Sequence, residues 1–316
     1  MNVNIGIVMD PIESITPYKD STLAMMLAAQ EKGWTLWYMQ QQDLYLVDGV
    51  AHARRTRVEV ADDNQTWYQA IEEVDTAMHE LDIVLMRKDP PFNMDYIYST
   101  YILERAEAAG VLVSNKPSSL RDVNEKLFTA WFAEHCPTTT VTMQSDRIKA
   151  FLEQHKDIIV KPLDGMGGES IFRIRSGDPN LNVILETITQ RNTRQTMAQT
   201  FLPEISEGDK RVLVVDGEPM PFTLARIPTE GESRGNLAAG GRGVPMPLTS
   251  HERTLVAALR DELLARDLLF VGVDVIGTHI TEINVTSPTC IRELEAHADL
   301  GIANRYMQAL EQRLTR

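Results

Sequence analysis

Cysteine is nearly missing: Cys136 and Cys290 are the two thiols in 316 residues, far apart and in no metal-ligand spacing. That usage excludes a disulfide scaffold and fits a reducing cytosol, so a cytoplasmic protein is expected, and neither thiol reads as a nucleophile. Cations are in deficit as well, with 31 Lys and Arg against 45 Asp and Glu, a formal net charge of -14. Such a field repels phosphate backbones, and no basic patch offsets it, so no nucleic-acid partner is expected. No apolar run approaches the roughly 18 residues of a membrane span. The N-terminus enters a strand-like run, Val3 to Met9, without a basic region or cleavage site, so neither membrane insertion nor export is expected. Internal repeats and low-complexity tracts are absent too.

What is present is ordinary globular material, 43% hydrophobic and 24% charged. The length suggests two or three lobes with a cleft between them. Val3–Met9 reads as a buried strand, followed by a helix capped by Asp20 or Ser21, running through Leu23, Met26 and Leu27 and stopped at Gly33. Strand Thr35–Met39, strand Ile83–Met86, helix Tyr96–Ala109 and strand Val111–Ser114 continue the alternation, which implies a parallel sheet covered on both faces. Between them Leu44–Val60, with its Asp48-Gly49 turn, reads as a hairpin excursion. The stretch from there to about Leu81 carries no assignable pattern. From Asn124 the texture changes to a small α+β lobe: helix Glu125–Glu134, strand Thr138–Met143, helix Arg147–His155 and strands Ile158–Lys161 and Ser170–Ile174. A hairpin at Asp216-Gly217, a long loop Pro228–Val244, helix Glu252–Ala265, strands Leu269–Ile276 and His279–Val285 and a closing helix complete the chain.

Three segments carry chemistry. Lys161 ends a strand and opens into Pro162-Leu163-Asp164-Gly165-Met166-Gly167-Gly168-Glu169-Ser170. Glycines let backbone N–H groups approach an anion, and the lysine adds a point charge suited to phosphate. The lysine precedes the glycines, so this is not a Walker A loop; taken alone, a tight hairpin with a solvated lysine explains it equally well. Glu282 and Asn284 lie two apart on a strand and share a face, and a hairpin at Gly277-Thr278 would bring Asp274 to them. Three hard oxygen donors suit Mg²⁺ bridging nucleotide phosphates, while the polar side of a half-solvated sheet is the plain alternative. The third segment, Pro228 to Gly243, is too long for a simple connection and carries Arg234 and Arg242, which favours a closing lid over disorder. Arg87-Lys88-Asp89-Pro90-Pro91-Phe92 directly follows a strand, where ligands of open α/β sheets bind. Lys126 and Arg211 are weaker signals.

The order of these motifs resembles that of bacterial glutathione synthetases, members of the ATP-grasp superfamily. The strings "MRKDPPF", Asn124-Glu125-Lys126, "KPLDGMGG", Arg211, "RGNLAAGGRG" and "TEINVTSPT" carry the likeness over roughly residues 3–310. No functional residue matches between about 50 and 81. The resemblance implies a three-lobed ATP-grasp fold of α/β and α+β lobes: an N-terminal parallel-sheet domain over 1–122, a central lobe over 123–202 and a C-terminal lobe over 203–316 with a lid at 227–243. It implies that Lys126 and Lys161 touch nucleotide phosphates, Gln199, Thr200, Phe201 and Leu202 line the adenine pocket, Asp209 approaches the ribose, and Gly165, Gly167 and Gly168 form a small lid. By the same likeness Arg211 faces the transferred phosphate, and Asp274, Glu282 and Asn284 hold Mg²⁺ (or Mn²⁺). Arg87, Arg226, Arg234 and Arg242 are then candidates to grip the dipeptide, with Lys161, Arg211, Arg234 and Arg242 serving catalysis. The implied reaction joins γ-glutamylcysteine and glycine at the expense of ATP through an acyl phosphate, in a homotetramer. A ligase for another acid and amine, or an ATP-binding protein without turnover, remains the alternative at this level.

Overall fold

Asp20 starts the first helix as expected: its carboxylate accepts from the Leu23 backbone N–H at 2.6 Å, satisfying a donor that the first turn leaves unpaired. The computed structural model describes residues 2–229, 235–237 and 240–315. Strand β1 (Asn4–Val8), helix α1 (Ser21–Glu31) and strand β2 (Thr35–Met39) open the chain. They are followed by β3 (Leu44–Val47), β4 (Val50–Val60), β5 (Tyr68–Ala77), β6 (Ile83–Met86), α2 (Met94–Ala108) and β7 (Leu112–Ser114). Strands β2, β1, β6 and β7 lie side by side and parallel, with helices between them in sequence. Asp48 and Gly49 take φ of 49° and 80°, the left-handed pair that a two-residue hairpin needs. The hairpin does not leave the sheet: β4 pairs antiparallel with β2 and widens it. The unassigned stretch holds β5, which pairs with β4 along residues 52–60. Most of β5 is exposed and only Ala77 is buried, so no alternating apolar face betrays it in the sequence.

After helix α3 (Pro117–Asp122), residues Leu127–His135 form 3-10 turns, not the α-helix expected over Glu125–Glu134. Glu125 is held elsewhere: its carbonyl accepts from the Ile283 N–H at 2.9 Å. Phe132 breaks the run further on, at φ -129° and ψ 41°. The central sheet is antiparallel in the order β10-β9-β11-β8. It is built from β8 (Thr139–Thr142), α4 (Ser145–His155), β9 (Asp157–Pro162), β10 (Phe172–Arg175), α5 (Leu181–Ile188) and β11 (Thr196–Thr200). Strand β10 starts two residues later than expected because Ser170 sits at φ 57°, outside strand geometry. Ile148, Leu152, Ile158, Val160, Ile174 and Leu185 give this lobe a core of its own.

The third sheet, β14-β13-β12-β15-β16, is antiparallel. Its elements are β12 (Asp209–Val215), β13 (Glu218–Ile227), β14 (Arg242–Pro247), α6 (Ser250–Ala265), β15 (Phe270–Ile276) and β16 (His279–Asn284), closed by α7 (Ile291–Glu295) and α8 (Ile302–Leu314). Asn115 bolts it to the first sheet. Its amide nitrogen donates to the carbonyls of Phe270 and Val285 at 2.9 and 2.7 Å, and its oxygen accepts from the N–H groups of Leu269 and Phe270 at 2.7 and 3.0 Å. Leu23, Leu213, Phe270, Tyr306 and Leu310 share one apolar cluster across that joint. The first and third sheets therefore share a core, the central lobe has its own, and a cleft lies between the lobes.

Candidate active site

The cleft encloses about 320 Å³ and draws its walls from the second and third sheets and from the loop that follows β6 of the first. Lys161, near the end of β9, is buried and donates to the Thr281 carbonyl of β16 at 3.2 Å. Burial holds its pKa below the ordinary lysine value, against the pull of Glu282. Lys126 reaches the same place from the other side, 2.6 Å from the Gly165 carbonyl and 2.7 Å from Glu282 Oε1. Burial works against its charge, but Glu282 outweighs that cost and the net shift is upward. Two lysines from separate segments thus meet one strand of the third sheet.

Strands β15 and β16 set the acidic face. Asp274 pairs directly with Glu282, and Asn284 with Gly272, so the expected hairpin does bring the three side chains together. Asn284 Nδ2 donates to Asp274 Oδ2 at 3.2 Å. Asp274, however, is not among the cleft-lining residues. Arg211 grips it from β12, and Arg226 stands 2.9 Å from its Oδ2. Burial alone would raise the Asp274 pKa, yet the two guanidiniums together drive it well below the usual carboxylate value. Arg226 also binds Asp209 Oδ2 at 2.6 Å. Burial, reinforced by the charge of Asp274, pushes that carboxyl up to about 6 against the pull of Arg226, and its other oxygen has no partner among the described residues.

Gln199, Thr200, Phe201 and Leu202 line the other end of the cleft, together with Ile159 and Ile205. Gln199 donates to Thr139 Oγ1 at 3.1 Å, and the Arg173 guanidinium lies 3.3 Å from the Phe201 ring centre, which braces an apolar wall at the cleft edge. Gly167 and Gly168 adopt φ of 60° and 83°, which explains glycine at those two positions, and Gly165 to Glu169 line the cleft as a turn. Of the long loop, Gly235, Asn236 and Leu237 reach the cleft. Arg234 lies outside the described residues. Arg242 opens β14, is exposed and is not among the lining residues.

Arg87 differs from expectation. It is buried and turned away from the cleft, with Nη2 donating to the Pro288 carbonyl at 2.9 Å and Nε to Thr22 Oγ1 at 3.2 Å. Two residues whose roles were not read from sequence stand out instead. Glu125 Oε1 accepts from the N–H groups of Val285 and Thr286 and from Thr286 Oγ1, at 2.8, 2.9 and 2.9 Å, and so locks the segment that follows β16. Asp89 accepts from Ser287 Oγ at 2.6 Å. An acidic residue beside Lys126 and another in a strand-end loop were the available signals.

The donor chemistry fits a hard divalent ion. Glu282 and Asn284 face the cleft, Asp274 stands behind them, and no cage of three or more His, Cys, Asp or Glu exists among the described residues. Magnesium bound through one or two carboxylates and substrate phosphates asks for no more than this. No helix among the described residues is long and apolar enough to cross a membrane.

Residues 3–121 match the model of the prokaryotic glutathione synthetase N-terminal domain, and residues 125–299 match that family's ATP-grasp domain. A glutathione synthetase of Vibrio cholerae serotype O1 is 60% identical over 312 residues, covering 99% of this chain and 98% of that protein. Among solved structures, a D-cycloserine synthetase superposes with a TM-score of 0.70 at 15% identity, covering 98% of this chain and 99% of the other. An ATP-grasp ligase complexed with its minimal precursor does so at 0.64 and 17%, covering 100% of both chains. At such identities these two likenesses speak for the fold alone.

Proposed function

This chain belongs to the prokaryotic glutathione synthetase family, and from that premise we propose which of its residues carry out the ligation. It is an ATP-dependent ligase that forms glutathione, with ATP and the glutathione precursors as substrates. The carrying observation is the meeting of Lys126 and Lys161 on one strand of the third sheet: Lys126 Nζ lies 2.7 Å from Glu282 and Lys161 Nζ 3.2 Å from the Thr281 carbonyl.

A carboxylate is a poor acyl donor, because amine attack would have to expel oxide. In the proposed sequence a cysteinyl carboxylate oxygen of γ-glutamylcysteine attacks the γ-phosphorus of ATP. The bond to the bridging oxygen breaks, ADP leaves, and an acyl phosphate remains. Glycine, arriving as the neutral amine, then attacks the acyl carbon; the tetrahedral adduct expels inorganic phosphate and the amine proton passes to solvent. Lys126 and Lys161 hold the triphosphate, and Arg211 meets the moving phosphoryl group, offsetting charge in a loose transition state. Gln199 to Leu202 take the adenine and Asp209 the ribose. The Gly165–Gly168 turn and the 227–243 loop cover the intermediate, and Arg226, Arg234 and Arg242 supply charge to the dipeptide, while Arg87 acts through the Pro288 segment. Mg²⁺, or Mn²⁺, would be held by Glu282 and Asn284 with Asp274, and when bound would supply positive charge to neutralise the triphosphate. Lobe limits at 1–122, 123–202 and 203–316, a homotetramer and a cytoplasmic site of action belong to the same proposal.

The test is phosphate release with ATP, Mg²⁺, γ-glutamylcysteine and glycine, omitting each in turn. Release that needs all four supports the reading. Equal release with another acid or amine in place of γ-glutamylcysteine or glycine overturns it.

A further inference from the structure

Cleft carboxylates differ in what already neutralises them. Asp209 is paired with Arg226 and Glu282 with Lys126. Glu125 has one oxygen filled by three donors, and Glu169 belongs to the glycine turn. Asp89 is the cleft carboxylate contributed by the first sheet's loops; among the described residues no cation forms an ion pair with it, and Arg87, buried behind it, acts on it only through space. Its neighbour Lys88 points elsewhere, to Asp10 Oδ1 at 2.8 Å and to the Asp89 carbonyl at 2.6 Å.

The carboxylate is nonetheless held in place. The Asp89 N–H donates to Asp10 Oδ2 at 3.0 Å, its Oδ1 accepts from Ser287 Oγ at 2.6 Å, and Pro90 and Pro91 follow it. Arg87, two residues earlier, fixes the other side of the same segment through the Pro288 carbonyl. A negative charge, exposed to the cleft and braced by neutral donors, is a site prepared for a cation.

We propose that Asp89 takes the α-ammonium of the γ-glutamyl group and thereby determines specificity for the acid substrate; this rests on the γ-glutamylcysteine reading above. Of the two ammonium groups in the reaction, glycine's must come within about 3–3.5 Å of the acyl carbon to react. The γ-glutamyl ammonium lies at the opposite end of its substrate, seven bonds through the γ-link or roughly 8 Å from the activated carboxylate when extended. Ser287 follows Asn284 by three residues, at most about 10 Å along an extended chain, and Asp89 lies one hydrogen bond of 2.6 Å beyond the Ser287 hydroxyl, in the neighbourhood of the phosphate-facing strand. A γ-linked dipeptide differs from an α-linked one in where its free ammonium projects, and a fixed carboxylate in the cleft wall reads that difference.

The experiment compares wild type, Asp89→Asn and Ser287→Ala in phosphate release, with γ-glutamylcysteine and with glutarylcysteine, the same chain lacking the α-amino group. With Asp89→Asn, the KM for γ-glutamylcysteine should rise roughly ten- to hundred-fold, the loss expected for a hydrogen bond between charged groups, while the KM values for glutarylcysteine, glycine and ATP stay put. Ser287→Ala, which removes the brace but keeps the charge, should shift the same KM by much less. An equal rise for both acids, or a rise for glycine instead, overturns the assignment. If urea unfolding reports that Asp89→Asn does not fold, Asp89→Ser removes the same charge and is read in the same way. Wild type that turns over no γ-glutamylcysteine would sink the functional reading itself, a distinct outcome.

Discussion

Arg211 and Asp274 face each other directly across β12 and β15, and the guanidinium holds both carboxylate oxygens, at 2.5 and 2.9 Å. Arg226 shares that carboxylate, and all three groups are buried. Removing the acid strands buried Arg211 and leaves Arg226 with Asp209 alone, so Asp274→Asn should cost about 3–5 kcal/mol in urea unfolding at neutral pH. The pH dependence has a definite sign. The folded pKa of Asp274 lies below the ordinary 3.8, so its stabilisation is complete above about pH 4 and is lost as pH falls below that. Asp274→Asn should therefore flatten the acid limb of the stability profile. A variant as stable as wild type would mean that the arginines find other partners.

Glu282 has the cleft-facing role that Asp274 lacks. Glu282→Gln keeps the shape and removes a hard anionic donor, so the Mg²⁺ concentration for half-maximal phosphate release should rise about 10–100-fold, the span typical when a metal site loses support. Unchanged Mg²⁺ dependence would remove Glu282 from the proposed ligand set.

Much of this arrangement was legible in local pattern, and what was not depended on distant partners. The β1-α1-β2 alternation reads directly because buried parallel strands need apolar runs and the helix between them needs a cap. Asp48-Gly49 and Asp216-Gly217 read as turns because each pair takes positive φ, at 49° and 80° and at 53° and 75°. Strand β5 was hidden, since an exposed edge strand carries charge where a covered one carries valine. The burial of Arg87 was not legible because its partner, the Pro288 carbonyl, lies 201 residues away, and a lone arginine in a loop looks the same whether it faces substrate or backbone. Glu125 was missed for the same reason, its acceptor role being written at residues 285 and 286. Lys161, Glu282 and Asn284 could be read together because strand spacing fixes the face of the last two and a strand end fixes the first.

Cys136 offers a check of the central lobe's surroundings. Burial pushes its thiol up to about 11, against the opposing pull of Lys161. Because the thiolate is the reactive form, alkylation of Cys136 in the native protein should stay slow at pH 8 and climb only as pH approaches 11. In urea the rate should follow an ordinary thiol near 8.5. Rapid labelling of native Cys136 at pH 8, located by peptide mass, would contradict the raised thiol and its half-buried position.

Gly235 connects the long loop to the chemistry. A Cβ there would lie 2.3 Å from the Arg226 carbonyl oxygen and 3.0 Å from Asp209 Cβ, so no side chain fits while the loop keeps its place. Backbone cannot yield as a flexible side chain can, and Gly235→Ala must therefore push the loop off the Asp209–Arg226 pair. An acyl phosphate left uncovered is open to water. ATP binding, assigned in the proposal above chiefly to β9, β11 and the glycine turn, should survive in Gly235→Ala and in a deletion of residues 231–241. Phosphate release should then exceed peptide formed, by a ratio larger in the deletion than in the point variant. Equal amounts of phosphate and peptide in both would mean that the loop covers nothing during the reaction, and that water is kept out by the glycine turn alone.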